Sequence, residues 1–288
     1  MRRLRITIVI LFVLSGIAFL GYNIADRMLS DHTPPVITSD SDTISVSVAA
    51  EESELSAGLT ATDDKDGDLT DSIRISSMSN FTEPGKRTIS YVVFDSANQA
   101  ATLTRNLEYT DYVSPKIHQT QPLRFSLNEL DEISLAGSMT AEDCIDGDIT
   151  NQIRANFGDV YVSAAGSYTI TVQVSNSAGD TCSVPVDVTV TDPSDPAERE
   201  KYYPVLSEYI VYTDVGVPID PAAFLTGLER NGTQYLFDVD AGVLPAGRES
   251  VVIAGAVDYN TAGTYTLEYQ FANADGVTAV TKLAVVVR

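Results

Sequence analysis

The sequence predicts an all-β protein, a series of tandem β-sandwiches behind an N-terminal transmembrane helix. Three observations predict it. An acidic stretch, Ala61-Thr62-Asp63-Asp64-Lys65-Asp66-Gly67-Asp68-Leu69-Thr70 with Ile73-Arg74 after it, returns 80 positions later as Ala141-Glu142-Asp143-Cys144-Ile145-Asp146-Gly147-Asp148-Ile149-Thr150 with Ile153-Arg154. Self-similarity at a fixed offset means repeated modules. Beyond the N-terminal run, short segments alternate polar and apolar with period two, and none sustains a helical period. Modules of about 80 residues match one seven-stranded sandwich each.

The 288 residues provide for two or three domains, and the apolar share of 44% is ordinary for a globular protein. A net charge of −22 argues against nucleic acid and against an anionic bilayer surface, both of which demand clustered Lys and Arg. It suits cation binding, and it suits a merely soluble surface equally. Two histidines, His32 and His118, stand far apart and give no His-rich metal site. No G-x-S-x-G elbow supports a hydrolase.

Arg2, Arg3 and Arg5 precede an apolar run from Ile6 to Tyr22. Such a run is near the lower limit for spanning a bilayer, and the arginines keep residues 1–5 cytoplasmic. A cleaved signal peptide is the alternative, but Asn23-Ile24-Ala25 is a poor cleavage site. The expectation is therefore a signal anchor over 6–22, single-pass in the cell membrane with the bulk extracellular, and a polar stem over 23–33.

The first module spans 34–111. It opens at Pro34-Pro35-Val36-Ile37, and Thr43 to Val48 alternates as a half-buried strand. Short strands enter and leave the acidic stretch. Glu83-Pro84-Gly85 is a turn; Ile89, Tyr91 and Val93 share the inner face of the next strand; Asp95 to Gln99 is a hairpin loop; Ala101 to Tyr109 returns. The second module, 112–192, repeats this plan, with Tyr168, Ile170, Val172 and Val174 inward and Asn176-Ser177-Ala178-Gly179 as the loop. A charged linker with two prolines, 193–203, leads to a divergent third module, 204–288, with Tyr265, Leu267, Tyr269 and Phe271 inward and no Asp-Gly-Asp. The linker composition predicts a semi-extended connection and an independently unfolding third module.

The acidic motif, the P-G or A-G turn before a Tyr-rich strand, and the hairpins Asp95-Ser96-Ala97-Asn98 and Asn176-Ser177-Ala178-Gly179 resemble bacterial immunoglobulin-like surface domains, as on clostridial surface proteins and an insecticidal crystal toxin. They are similar, more distantly, to hyalin-repeat and cadherin-type modules. The resemblance covers Pro34 to Asp192 well and the third module only in its second half. It implies tandem Ig-like sandwiches and is unspecific for function. The expectation is a structural role, a spacer or an adhesion and interaction module, and no enzyme. A glycan- or peptide-binding receptor is the competing reading, with Tyr235, Leu236 and Phe237 in the stretch Leu228 to Gly247 as its candidate surface. An accessory subunit of an envelope complex is a third. Arg87 departs from the pattern, standing where the other modules have Tyr168 and Tyr265.

Two readings of the acidic stretch stand. Calcium wants six to eight oxygens on a tight turn, and Asp63, Asp66 and Asp68 recur as Asp143, Asp146 and Asp148 around Gly67 and Gly147. Aspartates in loops also bond backbone amides without any metal. In a sandwich of this kind the linker, this loop and the last hairpin share one pole, so Asp111 and Asn176 join Asp143, Asp146 and Asp148 as donors for a calcium-stiffened junction. The same pole brings Cys144 near Cys182, and an oxidising compartment permits a disulfide there. Paired carboxylates for acid–base catalysis are set aside, because no insertion builds a pocket around them. Asn80-Phe81-Thr82 and Asn231-Gly232-Thr233 fit the N-glycan acceptor pattern, read as chance matches in a bacterial chain.

Overall fold

The computed structural model describes residues 2–29, 31–128, 137–158, 163–240 and 242–288. The N-terminal apolar run is longer as a helix than the sequence suggested. Helix α1 (Arg2–Leu29) contains Leu4–Ile24, a stretch of 21 residues long and apolar enough to cross a membrane, none of it buried inside the protein. Two polar side chains within it turn back on the helix: Ser15 Oγ donates to the Phe12 carbonyl at 3.0 Å, and Asn23 Nδ2 to the Phe19 carbonyl at 2.8 Å. Bonded this way, they do not interrupt it. The expected stem over 23–33 is corrected accordingly, since its first part is helical to Leu29.

Two compact units follow from the chain's contacts, Met1–Asp111 and Tyr112–Arg288. In the first, β1 (Val36–Ser39), β3 (Leu59–Asp63) and β4 (Gly67–Asp68) form a three-stranded sheet in the order β1-β3-β4. A four-stranded sheet runs β2-β7-β6-β5, with β2 (Thr43–Val46), β5 (Arg74–Met78), β6 (Lys86–Phe94) and β7 (Ala100–Tyr109). Strand β2 runs parallel to β7, and the other pairs are antiparallel. Period-two alternation delivers the core. Ile89, Tyr91 and Val93 are fully buried and pack with Ile37, Leu59, Ala61 and Leu107.

The second unit repeats the seven-stranded plan twice. Its first sandwich has sheets β11-β10-β8 and β12-β13-β14-β9, from β8 (Lys116–Gln119), β9 (Leu123–Ser126), β10 (Met139–Asp143), β11 (Gly147–Asp148), β12 (Arg154–Asn156), β13 (Gly166–Ser175) and β14 (Thr181–Thr191). Its second has β15-β17-β18 and β16-β21-β20-β19, from β15 (Tyr203–Leu206), β16 (Ile210–Thr213), β17 (Leu225–Arg230), β18 (Thr233–Leu236), β19 (Val252–Ala254), β20 (Gly263–Ala272) and β21 (Thr278–Val287). Strands β9 and β16 run parallel to β14 and β21, as β2 does to β7. The fold is all-β and tandem, as the sequence predicts.

The third module is not the loosely tethered bead its linker composition suggested. Ile210 and Ala284 of the third sandwich belong to the hydrophobic core of the second. Tyr212 Oη accepts from the Ile117 amide at 2.8 Å and donates to its carbonyl at 3.1 Å, and the Tyr209 amide donates to the Gln119 carbonyl at 2.8 Å. Ion pairs Arg124–Glu229 (2.5 Å) and Lys282–Asp187 (3.0 Å) flank this contact. The linker is turned rather than extended. A short 3-10 turn, Glu198–Glu200, is pinned by Arg199 to the Pro193 carbonyl and by Tyr203 Oη to Glu198.

Candidate cation site in the acidic loops

Both acidic stretches fold as a strand, a tight turn and a two-residue strand, with Asp63 paired to Gly67 and Asp143 to Gly147. Gly67 and Gly147 take φ of +76° and +71°, which L residues rarely adopt. A Cβ there would meet nothing within 4 Å, so backbone conformation rather than space requires glycine. The motif's threonine closes the loop: Thr70 Oγ1 accepts from the Ala61 amide at 3.1 Å, and Thr150 Oγ1 from the Ala141 amide at 3.0 Å.

The three aspartates of each motif have separate roles. Asp68 and Asp148 are exposed and accept from the Thr70 and Thr150 amides at 3.0 and 2.9 Å. Hydrogen bonds from those threonines hold both carboxyls below the usual carboxylate range. Asp68 and Asp148 thus act as local caps of their own loops, and neither belongs to the carboxylate cluster that holds Asp63 and Asp66. Asp66 and Asp146 tie the loop to the last hairpin: Ser96 donates to Asp66 from N (2.6 Å) and Oγ (2.8 Å), and Ser177 to Asp146 in the same way (2.5 and 2.7 Å). Asp63 and Asp143 point inward and are buried.

At the inner aspartate the copies part. Asn176 Nδ2 donates to both oxygens of Asp143 (3.0 and 3.2 Å) and to Tyr112 Oη (2.9 Å), while Tyr112 Oη donates to Asp180 (2.7 Å). Burial pushes the Asp143 carboxyl upward despite the amide. In the first sandwich Asp95 stands at the Asn176 position and has no N–H to give. Its oxygens accept from Gln99 N (2.6 Å) and Nε2 (3.0 Å). Asp63 Oδ1 accepts from the Lys65 and Asp66 amides at 2.8 and 2.9 Å, and its Oδ2 is buried without a hydrogen-bond partner among the described residues.

Asp111, read as a donor for the second loop, is engaged within the first unit, accepting from Ser47 Oγ (2.7 Å) and the Val48 amide (2.8 Å). Ser47 holds its carboxyl below the ordinary value. The residue that sequence reasoning missed is Asp31. One ligand oxygen each from Asp31, Asp63 and Asp66 lie within 4.8 Å of one another. A signal existed: Asp31 stands 80 positions before Asp111, the same offset that relates the two motifs.

No disulfide joins Cys144 and Cys182. Cys182 lies on the inward-facing side of β14 with Val184 and Val186, packed against the core, its sulfur 3.5 Å from Tyr212 Oη. Cys144 sits in the exposed turn and its Sγ donates to the Val113 carbonyl at 3.1 Å. The expected bridge fails because strand alternation turns Cys182 into the sandwich. In the receptor stretch, Leu228 and Phe237 are core, Tyr235 is half-buried, and Leu236, Val239 and Val243 are exposed; Ala241 lies outside the described residues.

Residues 42–108 match the family model of the bacterial surface protein Ig-like domain. No match is found among curated protein sequences. Among solved structures, the chain is similar to the CBM51-2 and INT domains of Clostridium perfringens ZmpB in complex with GlcNAc, at 18% identity and a TM-score of 0.22 over 49% of this chain and 29% of that one. It is similar to the protocadherin GammaB4 extracellular domain at 13% identity and 0.20, over 90% of this chain and 50% of that one. The lipoprotein BT2262 of Bacteroides thetaiotaomicron gives 11% identity and 0.20, over 87% and 98%. The chain thus spans half or less of the ZmpB and protocadherin chains. At scores this low the likeness identifies no relative, and the assignment rests on the matched segment and the strand order. Residues 42–108 carry the signature of the bacterial surface Ig-like domain family, the one the acidic repeats resemble.

Proposed function

We propose that the protein is a non-catalytic, membrane-anchored extracellular module, a spacer or interaction protein built from tandem Ig-like sandwiches. An extracellular adhesion or binding role is what a bacterial surface Ig-like domain supports. The observation that carries the finer reading is the direct succession of the unburied apolar helix Leu4–Ile24 and a sandwich of that family, with three arginines on the helix's N-terminal side. Arg2, Arg3 and Arg5 in and beside the first turn are unfavourable for the helix dipole, and they are what the positive-inside rule places on the cytoplasmic side. Protease added to intact cells should degrade the sandwiches, and mass spectrometry of the membrane-extracted chain should recover peptides that include Arg2 to Arg5. A mature N-terminus near Asp26 would show a cleaved leader and discard the anchor.

A second reading, a receptor for a peptide or glycan, has one observation in its favour. Leu236, Val239 and Val243 stand 41%, 76% and 71% exposed within one short stretch of the third sandwich. Replacing all three by serine should abolish binding to surface extracts if this patch is the receptor face. Unchanged binding would remove it.

A further inference from the structure

We propose that Asp31, Asp63 and Asp66 form a divalent-cation site, of the hard oxygen-ligand kind that calcium takes, which fastens the segment after α1 to the first sandwich. The inference does not depend on whether α1 is an anchor or a leader, because Asp31 follows the helix and lies beyond the nearest cleavage candidate at Ala25.

The geometry fits. Two oxygens on opposite sides of one calcium ion, each at about 2.4 Å, are about 4.8 Å apart. The three carboxylates each bring an oxygen within that span. Asp63 is only 9% exposed, and its Oδ2 has no donor among the described residues. Asp31 is only half-buried, but it shares the feature: Oδ1 accepts from Thr33 N (3.0 Å) and Oγ1 (2.8 Å), and Oδ2 is covered without a hydrogen-bond partner among the described residues. Only four buried side-chain polar atoms lack a partner among the described residues, and two of them are in this cluster. Buried carboxylate oxygens are ordinarily satisfied, so an unpartnered oxygen on each of two clustered aspartates calls for a positive ligand.

The second sandwich provides the control. There the inner aspartate is satisfied by the Asn176 amide, and no cation is needed. In the first, that amide is replaced by Asp95, itself 7% exposed, which adds negative charge and offers no hydrogen. The docking of the segment is consistent with the site, since Gln99 Nε2 of the same hairpin donates to the Thr33 carbonyl at 3.3 Å. Asp66 is already bound through both oxygens to Ser96, but each oxygen keeps a second lone pair for a metal. Water or backbone carbonyls would complete the shell. The neighbouring cation is Lys65, which acts on Asp31 by charge and competes for the site.

The test is calorimetric titration of the full chain in detergent micelles with calcium chloride. One saturable site is expected, with a dissociation constant of about 10⁻⁴ to 10⁻³ M, the range of extracellular modules. Asp31→Asn and Asp63→Asn should each weaken it by about tenfold or more, Asp143→Asn should leave it unchanged, and Lys65→Ala should tighten it. Asp31 lies outside the sandwich strands, so Asp31→Asn should stay folded. In wild type, calcium should slow exchange of the amides of residues 31–33, and in that variant it should not. Absence of saturable binding of calcium, magnesium or manganese up to about 10 mM would overturn the proposal. Binding insensitive to Asp31→Asn and Asp63→Asn would do the same, as would binding seen only once Lys65 is removed, which would make Lys65 the counter-ion.

Discussion

In the first sandwich Arg105 projects inward from β7 opposite Ile89; in the second, Val186 projects from β14 opposite Ile170. Arg105 is 4% exposed. It donates from Nε to Tyr91 Oη (3.1 Å), and from its terminal nitrogens to the Leu55 carbonyl (2.7 Å) and Ser39 Oγ (3.3 Å). Tyr91 itself stands where the second sandwich has Val172. Leu55 ends a four-residue helical turn, Glu52–Leu55, and its free helix-end carbonyl accepts from Tyr91 Oη (2.5 Å) as well as from Arg105. At these facing positions one plan thus carries two kinds of interior, an aliphatic pair in the second sandwich and a bonded polar network in the first. A third substitution follows the same rule. Tyr168 and Tyr265 bond back to the Ala164 and Thr261 carbonyls at 2.8 and 3.0 Å, whereas Arg87 donates to Tyr109 Oη and lies over the Phe81 and Tyr109 rings. The repeat therefore preserves strand order and loop closure, while the partner that satisfies each inner polar group is free to change.

Arg105→Ala should break the comparison most strongly. It removes the donor to the Tyr91 hydroxyl and one of the two donors to the Leu55 carbonyl, which keeps Tyr91 Oη, and it opens a cavity, about 3–5 kcal/mol in all. Val186→Ala removes two methyl carbons, about 1.5 kcal/mol. Hydrogen exchange read on peptides from β6 and from β13 measures each sandwich separately. A loss at Arg105 no larger than that at Val186 would mean the polar network adds nothing.

Asn176→Asp would place a carboxylate against Asp143, as the first sandwich has at Asp95. Losing the amide that serves Asp143 and Tyr112 should cost about 1–3 kcal/mol. If the two loops differ only in this residue, millimolar calcium should restore part of the loss. A loss without recovery would show that the first loop owes its affinity to Asp31 rather than to the missing amide.

Much of this architecture was legible in the sequence. The inward faces of β6, β13 and β20 follow from alternation, and the turn glycines from their motif. Arg105 was not legible, because alternation assigns a charged residue in a strand to solvent unless a partner carbonyl is known, and that carbonyl lies fifty residues away. The site was half legible. Its inner aspartates are in the motif, but Asp68 accepts from its own loop, and Asp31 comes from a segment the motif does not reach. The packed contact of the second and third sandwiches was hidden for a similar reason, since Ile210 and Tyr212 read as ordinary strand residues until their neighbours are seen.

The third prediction sharpens the contrast at that contact. The second sandwich shares its core with Ile210 and Ala284, so β8 and β16 should open together in hydrogen exchange. Tyr212→Phe removes both bonds to Ile117 and should lower protection in both strands by about 1 kcal/mol. An effect confined to one strand would restore the independent third module that the linker composition suggested.

The smallest expected effect separates two aspartates of one loop by sign. Asp143 has its carboxyl raised above the ordinary 3.8, chiefly by burial, with Asp146 and Asp180 adding to it. The folded state therefore holds this proton more tightly than the unfolded chain does. Its contribution is fully present below the unfolded value and is lost as pH rises through the folded one. Asp148 is lowered by Thr150, so its contribution is present above the unfolded value and lost as pH falls. Asp143→Asn keeps the shape and an acceptor for Asn176, and removes the group that pays for staying charged. At neutral pH the lost acceptor and the removed buried charge act in opposite directions, so the net change should lie below about 1 kcal/mol. Relative to wild type, the variant should nevertheless be more stable at pH 7 than at pH 4. For Asp148→Asn the relative stability should shift the other way, being worse at pH 7 than at about pH 2–3, below the ordinary 3.8, where the wild-type contribution is lost. Exchange rates of β10 and β13 peptides across that range provide the measurement. Parallel pH profiles for the two variants would mean that the burial of Asp143, and not only its charge, is balanced by Asn176, and the two loops would then differ less than their side chains suggest.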